Sequence, residues 1–310
     1  MNINLKYPEH VFRAVHVIAL FCVILGSVFL FPWQSQARSF QEIISSCELR
    51  VCFAPIHPSV VNAEPMDCRE DCRFSGPAFD AVQAFAAFLG QDMHIKGVRV
   101  DWEEQFFDEN GRIVRDAEYT PSLLASGRCD IYPNNLTREE WRLTKMDIPT
   151  LFTNRFIVLI NIDKAKEFLC PSDMGGRIAA VEKDTAFHSW LQQENDATYA
   201  ANPVDIRLMP TDEVLRGLDA GLFDFTVIDA DAAFWIIRQQ YPALHMVFPV
   251  GPMTEVGWGL RQEDTELLEA VRLFFSQQRN DHASPLNEIW KRHYGMSLNQ
   301  FIGLLSSIPE

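Results

Sequence analysis

Leu49-Arg50-Val51-Cys52-Phe53-Ala54 is the stretch on which the fold turns. It is short, apolar in every side chain but Arg50, and closed by Pro55. A run of that kind, ended by a residue that cannot donate to a ladder, reads as a buried strand. A turn-rich loop follows to Gly76, with His57-Pro58 and Glu64-Pro65 in it. From Phe79 to Leu89 the apolar residues Phe79, Val82, Phe85, Ala86 and Leu89 fall on one helical stripe, stopped by Gly90. Val98 to Trp102 alternates as a second strand, and Asp108 to Arg112 carries the turn signal of a hairpin insertion. Pro121 to Ser126 reads as a short helix ended by Gly127, and Asp130-Ile131-Tyr132 opens a third strand. Strands alternating with helices imply a largely parallel sheet covered by helices. Ligands on such sheets sit at the carboxyl ends of strands, so the loops after Phe53 and Tyr132 are expected to face one.

A second set of the same kind begins at Phe156-Ile157-Val158-Leu159-Ile160. Strands are expected over 177–181, 204–208 and 225–229, with helices over 185–193, 211–221 and 230–240 between them. Two short apolar segments, 247–250 and 257–260, precede an amphipathic helix over 263–279 and a last firm helix over 286–293. No Pro/Ser-rich linker divides the sets, which suits one lobe inserted within another. The fold class is therefore α/β with two lobes.

The N-terminus gives an address. Lys6 and Arg13 precede an apolar run from Ala14 to Phe31, then Pro32 and the small-x-small Ser35-Gln36-Ala37. This is the grammar of a secretory signal peptide cleaved after Ala37, and the location expected is the periplasm. The rival is an uncleaved inner-membrane anchor, because the run approaches the ~20 residues of a spanning helix. Six cysteines lie outside this segment, in a chain bound for an oxidising compartment. Cys68 and Cys72 are close enough for a local disulfide; they have no partner pair at metal-ligand spacing, so no metal site is expected. The formal charge is −15, and no Lys/Arg run offers a basic patch, which excludes nucleic acid as a partner.

The order of elements resembles bacterial extracellular solute-binding proteins of family 3, which serve amino-acid uptake, from about Leu49 to Gly295. Gly76-Pro77-Ala78-Phe79-Asp80 resembles the family's first-helix opening. The stretches 123–130 and 218–224 resemble its Leu-x-x-Gly-x-x-Asp turns, the second followed by Asp229. Arg142 to Asp147 resembles the stretch leading into the first crossover, Lys183-Asp184-Thr185 the ligand loop of the second lobe, and Leu286 to Gly295 the closing helix. The resemblance implies a type II periplasmic-binding fold. Its parts are a first lobe over 47–154, a second over 155–250, a return to the first over 251–295 and a tail over 296–310. It also implies a monomer that takes a small polar ligand and hands it to a membrane permease complex of the ABC type. There are departures. Thr137 precedes Arg142 by five residues where the family has three, so Arg138 competes for the gripping role, and Asp184 replaces a glycine.

A bound zwitterion needs a cation for its carboxylate and an anion for its ammonium. Arg142 is the candidate cation, since a guanidinium fork matches a carboxylate. The plain alternative is a helix surface charge beyond a Thr137–Glu140 capping box. Thr185 is a candidate that also suits an N-cap, and Asp229 is the candidate anion with the same alternative. Trp102, Phe53 and Tyr132 are aromatic candidates for an apolar part of a ligand, with the core as the plain alternative. His188 is the one histidine expected near the cleft. Catalytic residues and cofactors are not expected: no nucleophile elbow, metalloprotease or Walker sequence occurs, and after Gly295 the sequence continues only to Glu310. The rivals are a sensory or accessory binding module without a transporter, and a dehydratase on the same fold using Glu103 or Glu104.

Overall fold

A computed structural model describes residues 37–69, 72–183 and 185–307. The expected signal peptide, Ala37 excepted, and Asp184 therefore lie outside the described residues. Helix α1 (Phe40–Ser46), opened by a Ser39/Glu42 capping box, leads into strand β1 (Glu48–Phe53). A small hairpin, β2 (Asn62–Glu64) and β3 (Arg73–Ser75), fills the loop before α2 (Pro77–Leu89). Then come β4 (His94–Arg99), α3 (Ser122–Ala125), β5 (Ile131–Thr137) and α4 (Glu140–Leu143). Strand β6 (Thr150–Asn161) leads to β7 (Ile178–Val181), α5 (Ala186–Asp196), β8 (Asp205–Leu208), α6 (Thr211–Asp219), β9 (Thr226–Asp229) and α7 (Ala230–Gln239). The chain returns along β10 (Leu244–Leu260) and ends with α8 (Thr265–Asn280), α9 (Pro285–Tyr294) and α10 (Leu298–Ser306).

Two strands of unusual length make the architecture. The main sheet runs β4-β1-β5-β10-β6-β9. Strand β1 is parallel to β4 and β5, while β10 is antiparallel to β5 through its last third and antiparallel to β6 along its length. Strand β9 lies antiparallel to the far half of β6, and the β7-β8 pair joins through an Ala179–Phe225 bridge. The sheet is thus mixed: β4-β1-β5 and β7-β8 are parallel, and the long strands β6 and β10 run antiparallel to each other. The two separate segments expected over 247–250 and 257–260 are one strand, kinked at its glycines. A register shift falls between Val250 and Thr254, where Gly251 has φ +67°. At Gly257 a Cβ would stand 2.0 Å from the Pro149 carbonyl oxygen, so only glycine lets the crossovers approach there.

The buried apolar residues fall into three clusters, the largest of which also takes in Leu159, Leu215, Ile228 and Ile236. Phe85, Trp258, Phe274 and Phe275 centre the largest, with Trp258 edge-on to Phe85 and Phe275. Full burial of such side chains contributes roughly 1.5–3 kcal/mol each. Val158, Ile160, Phe168, Leu191 and Phe225 centre the second. A third cluster, with Cys52, Phe106, Tyr132 and Met146, lies on the other face of the first lobe. Phe53 and Tyr132 are fully buried, so both are core. Disulfides join Cys68 to Cys72 and Cys52 to Cys129; Cys47 and Cys170 are free thiols.

Several local expectations are corrected. The second strand is His94–Arg99, not 98–102, and Trp102 instead enters a 3-10 turn (Glu103–Phe106) whose Glu104 carboxylate accepts the Asp101 N–H at 2.6 Å. Asp108 to Arg112 is a turn held by the Asp108 carboxylate within a loop, with no strand on either side to make a hairpin. Thr137 builds no capping box with Glu140, because it is still in β5, opposite Val256. The tail over 296–310 contains α10, opened by a Ser297/Gln300 capping box.

Candidate functional site

A cavity of about 550 Å³ opens at the ends of β1, β5 and β9. The chain before β6 contributes His57, Trp102, Asn135, Thr137 and Arg142; the chain after it contributes Glu182, Thr185, Phe187, Asp229 and Asp231. Trp102, Thr137, Arg142, Thr185 and Asp229, widely spaced in sequence, therefore meet at one place. Arg138 turns away: its guanidinium pairs with Glu255 at 2.9 Å and donates to the Ile148 carbonyl.

Arg142 is not a surface charge. One Nη donates to the Thr137 carbonyl at 2.9 Å, and the guanidinium carbon lies 5.1–5.9 Å from the Trp102, Phe106 and Trp141 ring centres. Ring faces attract a cation without competing for its in-plane donors. Nε is buried without a hydrogen-bond partner. Burial lowers the pKa against the opposing pull of Glu139, but a guanidinium stays protonated. Lys145 braces the cage from behind. Its buried ammonium donates to the Arg115 and Ala117 carbonyls at 3.0 and 2.8 Å and lies over the Tyr119 and Trp141 rings.

The opposite wall is acidic. Asp229 starts α7 as its N-cap residue, yet its side chain caps no N–H. Asp231, two residues on, is 4% exposed. Its carboxylate accepts from Asn154 Nδ2 at 2.9 Å and from Asn135 Nδ2 at 3.2 Å, one amide from the β6 crossover and one from the first lobe. Burial pushes both carboxyls well above the ordinary carboxylate range; for Asp229 the neighbouring Asp231 charge adds to the push. Thr185 does what an N-cap does: its hydroxyl accepts the His188 N–H at 3.2 Å and donates to the Glu182 carbonyl at 2.7 Å. The first turn of α5, at Ala186 and Phe187, also lines the cavity.

Sequence reasoning missed His57, Asn135, Asn154 and Asp231. His57 lines the cavity where the reading placed only His188. Its Nδ1 accepts the Ser59 N–H at 3.1 Å, which leaves the proton on Nε2, and burial pushes its pKa down to about 4. The signal for it was the strand-end rule applied to the loop after Phe53. Asn154 lies in the polar stretch Thr153-Asn154-Arg155 just before the apolar run of β6. Glu103 and Glu104 are not among the residues lining the cavity. Among the described residues no cluster of three or more His, Cys, Asp and Glu could hold a metal ion.

No family model matches the chain. It is 24% identical over 226 residues to a membrane-bound lytic murein transglycosylase F of Desulfosudis oleivorans, a match covering 71% of this chain but 44% of that relative. It is also 24% identical over 211 residues to the L-cystine-binding protein TcyJ of Escherichia coli, covering 66% of this chain and 77% of TcyJ. Among solved structures, an ancestral cationic amino-acid solute-binding protein aligns with TM-score 0.65 at 18% identity, over 82% of this chain and 98% of that one. The chain has the two-lobed periplasmic-binding-protein fold. Its structural neighbours are amino-acid-binding proteins of the kind the sequence resembles. The cavity is lined by residues both before and after β6, and β6 and β10 are neighbours in the main sheet.

Proposed function

We propose that this protein is a periplasmic solute-binding protein that captures a small amino-acid-like ligand for an ABC-type transporter and performs no chemistry on it. The observation that carries this reading is the opposition of Arg142 to Asp229 across one cavity. A caged guanidinium with free donors takes a carboxylate, and a carboxyl group that caps nothing takes an ammonium. Burying both ends leaves a wrong ligand with an unpaired charge, which is where selectivity comes from. Lobe closure would hinge at 153–155 and 249–254, where Arg155 Nη2 reaches the Gly251 carbonyl at 3.1 Å. Lobe boundaries near 154 and 250 fit these crossings. Amino-acid-binding neighbours and the cystine-binding relative support the ligand class. Among the described residues no helix is long and apolar enough to cross a membrane, and the N-terminal sequence supports export.

The transglycosylase relative motivates a second reading, in which the cleft binds a cell-wall fragment as part of a larger activity. One thermal-melting screen separates the two. Protein expressed from the full chain is tested against the common L-amino acids, L-cystine, polar organic acids and muropeptides. A ligand that binds only the native form raises the melting point by mass action. An amino-acid shift lost in Arg142→Ala supports transport binding. A shift confined to muropeptides overturns it in favour of the second reading.

A further inference from the structure

The loop between Phe107 and Ser122, where the sequence suggests a hairpin insertion, is fastened to the aromatic cage of Arg142. Its ends meet: the Ser122 N–H donates to the Phe107 carbonyl at 2.9 Å. Near its start the Asp108 carboxylate accepts the Asn110 and Arg112 N–H groups at 2.8 and 2.9 Å. The Tyr119 hydroxyl accepts the Val114 N–H at 3.2 Å and donates to the Phe106 carbonyl at 2.7 Å, so one side chain joins two limbs of the loop to Phe106. The Arg115 guanidinium carbon lies 4.9 Å from the Trp141 ring centre, and that of Arg142 lies 5.2 Å from the same centre. Lys145, fully buried, donates to the Arg115 and Ala117 carbonyls, with the Tyr119 and Trp141 ring centres 4.7 and 5.6 Å from its ammonium. Phe106 meets Trp141 and Trp102 edge-on, at 5.2 and 5.8 Å between centres. Among the described residues lining the cavity, none comes from the loop.

Resting on the proposed amino-acid site, we infer that this loop positions Arg142, with Tyr119 as a positioning residue. The loop fixes Phe106 and Trp141, and through them the angle at which the guanidinium fork meets the ligand's carboxylate. An arginine side chain has several rotatable bonds, and ring faces attract a cation without aiming it. The Nη bond to the Thr137 carbonyl sets one direction; the rest of the orientation comes from the rings, so the rings must themselves be fixed. Phe106 and Trp141 stand on a 3-10 turn and on the single turn of α4, elements too short to be stable by their own backbone bonds. The loop supplies what they lack, a hydrogen bond to the Phe106 backbone and a guanidinium on the Trp141 ring. Lys145 keeps the loop in place. Its ammonium has the two loop carbonyls and the Thr144 hydroxyl as acceptors, so release of the loop would strand a buried charge. Among the described residues the loop makes no hydrogen bond or ion pair to α7 or to Asp229. Loosening it therefore weakens the grip on the carboxylate and spares the grip on the ammonium.

Two measurements test this, and the first needs no ligand. In proton–nitrogen correlation spectra of protein expressed from the full chain, the Arg142 Nε–H signal is identified by its loss in Arg142→Lys. Ring currents from the cage displace that signal. Tyr119→Phe, which removes only the hydroxyl, should move it toward the position of an exposed arginine, and Lys145→Met should move it further. A signal unmoved in Tyr119→Phe overturns the proposal. The second measurement is calorimetry of the amino acid giving the largest melting shift and of its carboxamide, which keeps the ammonium and the side chain but lacks the carboxylate. Tyr119→Phe should weaken the amino acid by about two- to tenfold, the scale of one hydrogen bond, and leave the carboxamide within about twofold. Equal weakening of both is what a merely structural role gives, and it overturns the proposal. A signal that moves as expected in a protein that binds no amino acid would support the brace and overturn the amino-acid reading instead. Should Lys145→Met fail to fold, Tyr119→Phe carries both measurements, since its ring remains beside the Lys145 ammonium.

Discussion

The two ends of the cleft hold buried charge in opposite ways. At the Arg142 end a permanent cation is kept by packing: three ring faces and one carbonyl surround it, and Lys145 braces the ring behind. At the Asp229–Asp231 end the charge is adjustable, held by two amides and able to take a proton. A guanidinium cannot shed its charge, so only geometry makes its burial tolerable; a carboxyl pair can. The first end is therefore expected to set affinity with little pH dependence, and the second to set how affinity varies with pH.

The sharpest way to break this contrast is Arg142→Lys. It preserves the charge and removes the planar fork and the stacking. The expected cost is roughly 10- to 100-fold in affinity, at the scale of a lost bidentate charge-assisted pair, with the pH slope unchanged, as calorimetry at several pH values would show. A changed slope would mean that the ends are not separable.

His57 tests the wall between them. Its folded pKa is about 4 against an ordinary 6.5, so the native state favours the neutral ring. That contribution is present above about pH 6.5 and is lost as pH falls toward 4, because the unfolded chain takes up the proton first. His57→Gln should flatten the acid limb of stability by roughly 1–2 kcal/mol between those values, after allowance for partial exposure. Melting curves from pH 4 to 7 read this directly. An acid limb identical to wild type would place the titrating group elsewhere.

The fold was largely legible, and the reason is periodicity. The run 49–54, the stripe from Phe79 to Leu89 and the apolar 156–160 each carry enough repeat to fix a strand or a helix, and their order does the rest. Strand β10 was not legible as one element, since Pro249, Gly251 and Pro252 read locally as turn residues; its continuity comes from pairing with β6, a non-local fact. Trp102 failed as a strand end for a similar reason, because the Glu104 carboxylate competes for the Asp101 N–H. Of the site, Arg142 and Asp229 were visible because each stands at an element's end. Asp231 was not: a second acid in the first turn of a helix reads as a dipole-complementing charge. Only the fold turns it inward against Asn154.

Arg138→Ala is the smallest change and the cleanest control on the cation end. Arg138 and Arg142 are both arginines in one short segment, and spacing alone does not choose between them. The structure separates them by direction. Arg138 Nε pairs with Glu255, which is 53% exposed at its side chain, and a second N–H goes to the Ile148 carbonyl. An ion pair so wet contributes about 0–1 kcal/mol. Loss of the side chain should thus lower the melting point by only a few degrees, at the scale of 2–4 °C per kcal/mol for a chain of this size. Ligand affinity should stay within about twofold, because a group outside the cleft adds only a screened field there. If Arg138→Ala instead abolishes binding while Arg142→Lys does not, the gripping cation is Arg138. The aromatic cage would then be a structural device, and the contrast between the ends would lose its first member.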